Sequence, residues 1–117
     1  MPTVKVVPRA GWENSEKVAR EGCQIPARNN RQRAEAIARE TMRTAQVIAT
    51  EKDIAPVSLI GRRVYYLKRV NLGTKKYTCM QDVIEWGHIK SVTADNIVIE
   101  GSLIPVTNTS NYVVIEG

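Results

Sequence analysis

Apolar positions along residues 31–53 recur at helical spacing. Ala34, Ile37, Ala38, Thr41, Met42, Ala45, Ile48 and Ala49 fall on one stripe, and Arg39 and Arg43 project from the opposite side. The pattern predicts one long helix. Asn29 or Asn30 caps its first turn, Glu35 stands one turn before Arg39, and Pro56 stops it near Asp53 or Ile54. Most of the stripe is alanine, so the helix can lie close against a surface, either the chain's own sheet or a helix from another copy. Before it, Val4, Val6 and Val7 fit a short strand or arm, and Glu13 to Glu21 fits a short helix ended by Gly22. Pro8, Gly11 and Pro26 interrupt anything longer.

From Leu59 onward the period shortens to two. Strands are predicted at Arg62–Val70, Lys75–Ile84, His88–Val92, Asn96–Glu100 and Tyr112–Glu116. Between them lie the turn at 71–74, with Gly73 suited to a positive φ, the tight turn at 93–95, and a polar turn at 107–110. The fold class that follows is α+β: an N-terminal arm (1–29) and one helix (30–55) packed on a small antiparallel β-barrel or bent sheet of about five strands (56–117), as a single folding unit. Gly87–Val92, a turn and Asn96–Gly101 resemble, in architecture, two adjacent strands of an SH3-like or Sm-like small barrel. The spacing of Gly87 and Asp95 departs from the Sm pattern, so no Sm function carries over. Residues 97–101 are echoed at 113–117, and the apolar last strand must pair with an internal neighbour or with an edge offered by another subunit.

Composition sharpens this picture in three places. The 117 residues contain no Phe, and Val, Ile and Ala supply most of the core material, which favours strands. One His and two distant cysteines, Cys23 and Cys79, do not make a tetrahedral zinc site within one copy. Free thiols in a reducing compartment are the default, with a disulfide left open. No apolar leader follows Met1 and no run reaches the length of a membrane span. Asn108-Thr109-Ser110 therefore reads as a polar turn rather than a glycosylation site, and a cytoplasmic location, or a virion for an assembly protein, is the expectation. No phosphate loop, nucleophile elbow, metalloprotease motif or paired acidic constellation is present. His88, in a strand, has no evident partner for general acid–base work. The expectation is a protein that is not an enzyme and takes no cofactor or metal.

The net charge is +5, from 17 basic and 12 acidic residues. Part of the surplus is concentrated. Arg62, Arg63, Lys68, Arg69, Lys75 and Lys76 occur with no Asp or Glu between Ile54 and Gln81, and Tyr65, Tyr66 and Tyr77 lie among them. In a hairpin such cations can neutralise phosphates, and tyrosines can stack on unpaired bases. Alternation divides the set: Arg63, Tyr65, Leu67 and Arg69 share one face, and Arg62, Val64, Tyr66, Lys68 and Val70 the other. On an edge strand, Lys and Arg also guard against aggregation. A second cluster, Arg28, Arg31 and Arg33, opposes the helix dipole at the start of the long helix, for which either Glu35 or an anionic partner would compensate. Trp86 reads as core, and Trp12 as an anchor for the N-terminal segment.

Two readings follow. The first is a small, basic, non-enzymatic nucleic-acid-binding module contacting phosphates through this hairpin. The second is a structural subunit of a homo-oligomer or of a viral or phage assembly, of connector or cement type, with the N-terminal arm and terminal strand making subunit contacts. Docking on an acidic protein surface is a third possibility.

Overall fold

The computed structural model describes residues 3–9, 12, 17, 31–71 and 73–116, the side chains of Arg31, Gln32 and Ala34 excepted. The expected helix at Glu13–Glu21, the Asn29 or Asn30 cap, Arg28 and Cys23 lie outside the described residues. Cys79 carries a free thiol.

The helix α1 runs from Arg31 to Ile48. Ala38, Thr41, Met42 and Ala45 are buried and Ile48 and Ala49 are partly so, as the stripe requires, whereas Ile37, placed on the same stripe, is 40% exposed. It ends five or six residues earlier than its pattern predicts. Residues Thr50–Asp53 form strand β2 instead, pairing antiparallel with β1, Thr3–Pro8, from Thr3↔Asp53 to Val6↔Thr50. Tertiary pairing overrides the helical preference of Glu51 and Lys52, and the fully exposed, charged β2 makes a protected sheet edge. One helical turn, α2 at Pro56–Leu59, inserts the buried Leu59 into the core.

Two long strands follow, β3 at Arg63–Asn71 and β4 at Met80–His88, paired antiparallel along their whole length. A second sheet is built from β5 (Ser91–Val92), β6 (Asn96–Ile99) and β7 (Ser102–Pro105). The sequence pattern missed β7. Its hairpin with β6 turns on Gly101, whose φ of 77° suits glycine. Strand β8, Tyr112–Glu116, closes the larger sheet.

The larger sheet has the order β2-β1-β8-β3-β4 and is mixed, because β1 and β8 run parallel. With β5-β6-β7 separate, there is no closed barrel, and the SH3-like or Sm-like expectation is not confirmed. The architecture is α+β in three layers: α1, the five-stranded sheet, and the three-stranded sheet. One core lies between the sheets and contains Val4, Val6, Val64, Tyr66, Ile97, Ile104, Tyr112 and Val114. The other lies under α1 and contains Val7, Trp12, Ala38, Met42, Tyr65, Ile84, Val113 and Ile115. Each fully buried aliphatic chain contributes about 1.5–3 kcal/mol.

The N-terminal segment is therefore part of the domain as far as it is described. β1 is hydrogen-bonded on both sides, and Trp12 is buried against the helix-side core. The last strand is likewise the centre of the sheet, not a free strand. Of the two elements that the assembly reading reserved for subunit contacts, the last strand and Thr3–Pro8 of the N-terminal segment are paired within the chain's own sheet.

A buried polar link holds the β7–β8 connection. The Tyr112 hydroxyl donates to the Val106 carbonyl at 2.7 Å, and Gln46 of α1 donates to the Tyr112 carbonyl at 3.1 Å. Burial, helped by the charge of Glu51, pushes the Tyr112 hydroxyl up to about 12. The folded state therefore holds this proton more tightly than the unfolded chain, whose tyrosines titrate near about 10. That stabilisation is complete below about pH 10 and is lost as pH rises toward 12. Tyr112→Phe is expected to lower stability at neutral pH by about 1 kcal/mol. In urea titrations across the alkaline range, the variant should show a smaller decline than the parent.

Candidate nucleic-acid interface

The hairpin β3–β4 is where the sequence placed its cations, and the register decides what becomes of them. Arg63 pairs with His88 at the base, and Asn71 pairs with Met80 at the far end. Eight strand steps of about 3.4 Å separate these pairs by about 27 Å, so the basic run does not form one compact patch.

Arg62 and Arg63 stay at the base. Arg62 Nε donates to the Ser58 carbonyl at 2.9 Å. The Arg63 guanidinium lies 4.9 Å from the Trp86 ring centroid, within cation–π range. Trp86 also contacts Tyr65 at 6.3 Å and His88 edge-on at 5.9 Å, and it is partly exposed rather than core. Tyr65 and Tyr66 are 1% and 7% exposed, so neither presents a ring face to a base as the sequence reading had it. Tyr66 instead donates its hydroxyl to Glu85 at 2.8 Å.

Midway along the hairpin the cations meet carboxylates. Lys68 lies 3.6 Å from Glu85, and Arg69 lies 3.6 Å from its cross-strand partner Asp82. Asp82 is shared: Arg39 of α1 reaches it at 3.4 Å while also pairing with Glu35 at 2.8 Å. Glu35 in turn accepts from the Asp82 backbone N–H at 3.5 Å. These contacts dock the first turns of α1 beside the distal half of the hairpin. The exposed Arg33 therefore sits at the same end of the molecule as the hairpin tip.

At the tip, Lys75, Lys76 and Tyr77 are brought together. The loop is locked from within: the Asn71 side-chain oxygen accepts from the N–H groups of Gly73 (2.9 Å) and Cys79 (3.1 Å). Thr74 N–H donates to the Tyr77 carbonyl at 2.8 Å, and Tyr77 N–H donates to the Thr74 hydroxyl at 3.1 Å. Lys75 and Lys76 therefore occupy the two central positions of a closed turn. They are exposed and meet no carboxylate among the described residues. Tyr77 is 72% exposed, with the Lys76 ammonium 6.0 Å from its ring centroid. Sequence reasoning missed the roles of Asn71 and Thr74, although an Asn two residues before a Gly is a recognisable turn signal.

Among the described residues at this end, Arg33, Arg39, Lys68, Arg69, Lys75 and Lys76 stand against Glu35, Asp82 and Glu85, so positive charge remains in excess. Among the described residues no cluster of His, Cys, Asp or Glu could hold a metal ion, and no helix is long and apolar enough to cross a membrane. Set against known protein families, curated proteins and solved structures, the chain matches none of them.

Gly73 does not adopt the positive φ expected of it; among the described residues the positive-φ glycines are Gly61 and Gly101. It is needed for close approach instead. A Cβ there would run into the Tyr77 carbonyl oxygen and lie 2.8 Å from the Cys79 nitrogen. Gly73→Ala is expected to open the tip loop. Amide hydrogen exchange at Thr74 and Cys79 should accelerate, while that of Tyr65 and Val113 in the core stays at the parent rate.

Proposed function

We propose that this chain is a small, non-enzymatic nucleic-acid-binding module that contacts phosphates with the tip of its β3–β4 hairpin. The observation that carries this reading is the locked turn 74–77. It holds two lysines that meet no carboxylate among the described residues, beside an exposed tyrosine ring. Each lysine that meets a phosphate releases condensed counterions. A loop already ordered by Asn71 and Thr74 loses little conformational freedom on binding. Tyr77 offers a face on which an unpaired base can stack. The surrounding excess of Arg33, Arg39, Lys68 and Arg69 favours the encounter electrostatically. The interface is thus narrower than the nine-residue set read from sequence: Lys75, Lys76 and Tyr77 make contact, Lys68 and Arg69 contribute field, and Arg62, Arg63, Tyr65 and Tyr66 hold the hairpin base and core.

The reading as a homo-oligomeric, viral or phage assembly subunit assigned its contacts to the N-terminal segment and the last strand. The last strand, and Thr3–Pro8 of that segment, are paired within the chain's own sheet, and no feature among the described residues favours this reading.

Fluorescence anisotropy with single- and double-stranded oligonucleotides, from about 50 mM to about 200 mM salt, tests the proposal. Affinity should fall steeply with salt. The double variant Lys75→Ala, Lys76→Ala should weaken binding to every sequence and flatten the salt slope by about 1.4–1.8. Tyr77→Ala should cost about 1–3 kcal/mol on single strands and far less on duplex. Absence of binding at the lowest salt to DNA and RNA of both kinds would overturn the reading.

A further inference from the structure

The strands flanking β3 differ in reach. β4 pairs with it from Arg63 to Asn71, but β8 pairs with it only at Val64, Tyr65 and Tyr66. The last bond on that side runs from Leu67 N–H to the Asn111 carbonyl at 2.9 Å. There the chain entering β8 bends away, since Asn111 N–H is taken by the Asn108 carbonyl at 3.0 Å. By strand alternation, the N–H and C=O groups of Arg69 and Asn71 point the same way as Leu67 N–H. No strand among the described residues pairs with them there. The vacant lane opens into a cleft of about 360 Å³, bounded by Tyr66–Arg69 on one side and by Gly101–Pro105, Asn108 and Asn111 on the other. An unpaired strand edge in the interior of a sheet is a template for one more strand.

Charge selects the occupant. Among the described residues no carboxylate lines the cleft. Lys68 stands on the face of β3 toward the smaller sheet, and Arg69 stands on the helix face near Arg39. A segment in the lane would therefore meet a cation on either side. Glu35 and Asp82 balance Arg39 and Arg69, but Arg69 lies 3.6 Å from Asp82 and Lys68 lies 3.6 Å from Glu85, beyond hydrogen-bond distance, so both keep donors for a further carboxylate. Leu103, largely exposed, and Ile104 supply an apolar wall.

We propose that this lane binds an extended acidic peptide segment of a partner protein by strand addition to β3, continuing the line of β8 past Asn111. The site is separate from the hairpin tip and does not depend on nucleic-acid binding. The partner's backbone pairs with Arg69 and Asn71, and its carboxylates meet Lys68 and Arg69.

The probe is the blocked hexapeptide acetyl-Glu-Val-Glu-Val-Glu-Val-amide, titrated into the full chain while amide exchange is followed by NMR. The expected result is slowed exchange at Arg69 and Asn71. Affinity should weaken about tenfold when the edge-facing peptide amides are N-methylated, and the Lys-Val counterpart should not bind. Because the N-methylated peptide needs no change to the protein, the test does not hang on folding of a variant. Arg69→Pro, which removes an edge donor while sparing the β3–β4 bonds, should reproduce the loss. The Lys75→Ala, Lys76→Ala variant should bind the peptide like the parent. Lack of binding, or binding indifferent to N-methylation, would overturn the proposal. So would concentration-dependent protection of Arg69 without peptide, which would assign the lane to a second copy of the chain.

Discussion

Strand β8 is buried on both faces, and the other layers are arranged around that fact. Tyr112 and Val114 point into the core between the sheets, while Val113 and Ile115 point into the core under α1. A five-residue strand with four consecutive buried side chains is stable only if covered on both sides and paired on both edges. β1 and β3 supply the edges, α1 one cover and β5-β6-β7 the other. The Tyr112 hydroxyl then ties the strand to the turn that delivers it, and Gln46 ties it to the helix.

The shortness of β8 has a second effect. β3 and β4 run on past it, so the distal half of their hairpin lacks sheet support on the β8 side. What steadies it is α1. Ala38 packs with Ile84 in the helix-side core, and the Glu35–Arg39–Asp82–Arg69 network lies one step farther out. Exposed ion pairs of this kind contribute about 0–1 kcal/mol each, so the apolar contact carries most of the docking and the charges chiefly set its register. A narrow alanine stripe suits this role, because small side chains let the helix come near a two-stranded ribbon.

Much of this was legible in the chain. The alanine stripe gave α1, strand alternation divided the hairpin faces as observed, and Val4, Val6 and Val7 marked a strand. The helix end was not legible, because Thr50–Asp53 has no strand-like composition and becomes a strand only by pairing with β1. Barrel closure was over-read from short, evenly spaced strands, a pattern that two separate sheets produce equally well. The basic run misled for a topological reason. It is free of acids along the chain, but antiparallel pairing folds the residues just after it back across it. Asp82 comes to lie opposite Arg69, and Glu85 lies opposite Tyr66 and diagonal to Lys68. A stretch without carboxylates predicts bare charge only where no partner strand returns.

That condition is met at one place. Between Asn71 and Met80 the chain is turning, so among the described residues none lies across from Lys75 and Lys76 to neutralise them. The turn that exposes them is held by Asn71 and Thr74 and needs the missing Cβ of Gly73. The Asn71 and Thr74 side chains accept from the loop's own backbone N–H groups. The same length difference that carries the tip past β8 leaves the Arg69–Asn71 edge open beside it. Two separate anion-facing features, a cationic point and a cation-flanked strand edge, thus share one structural origin in the overhang of β3 beyond Tyr112. Extending β8 backward from Asn111 by a few residues would fill the lane and leave the tip untouched, which is why the two features are separable by experiment.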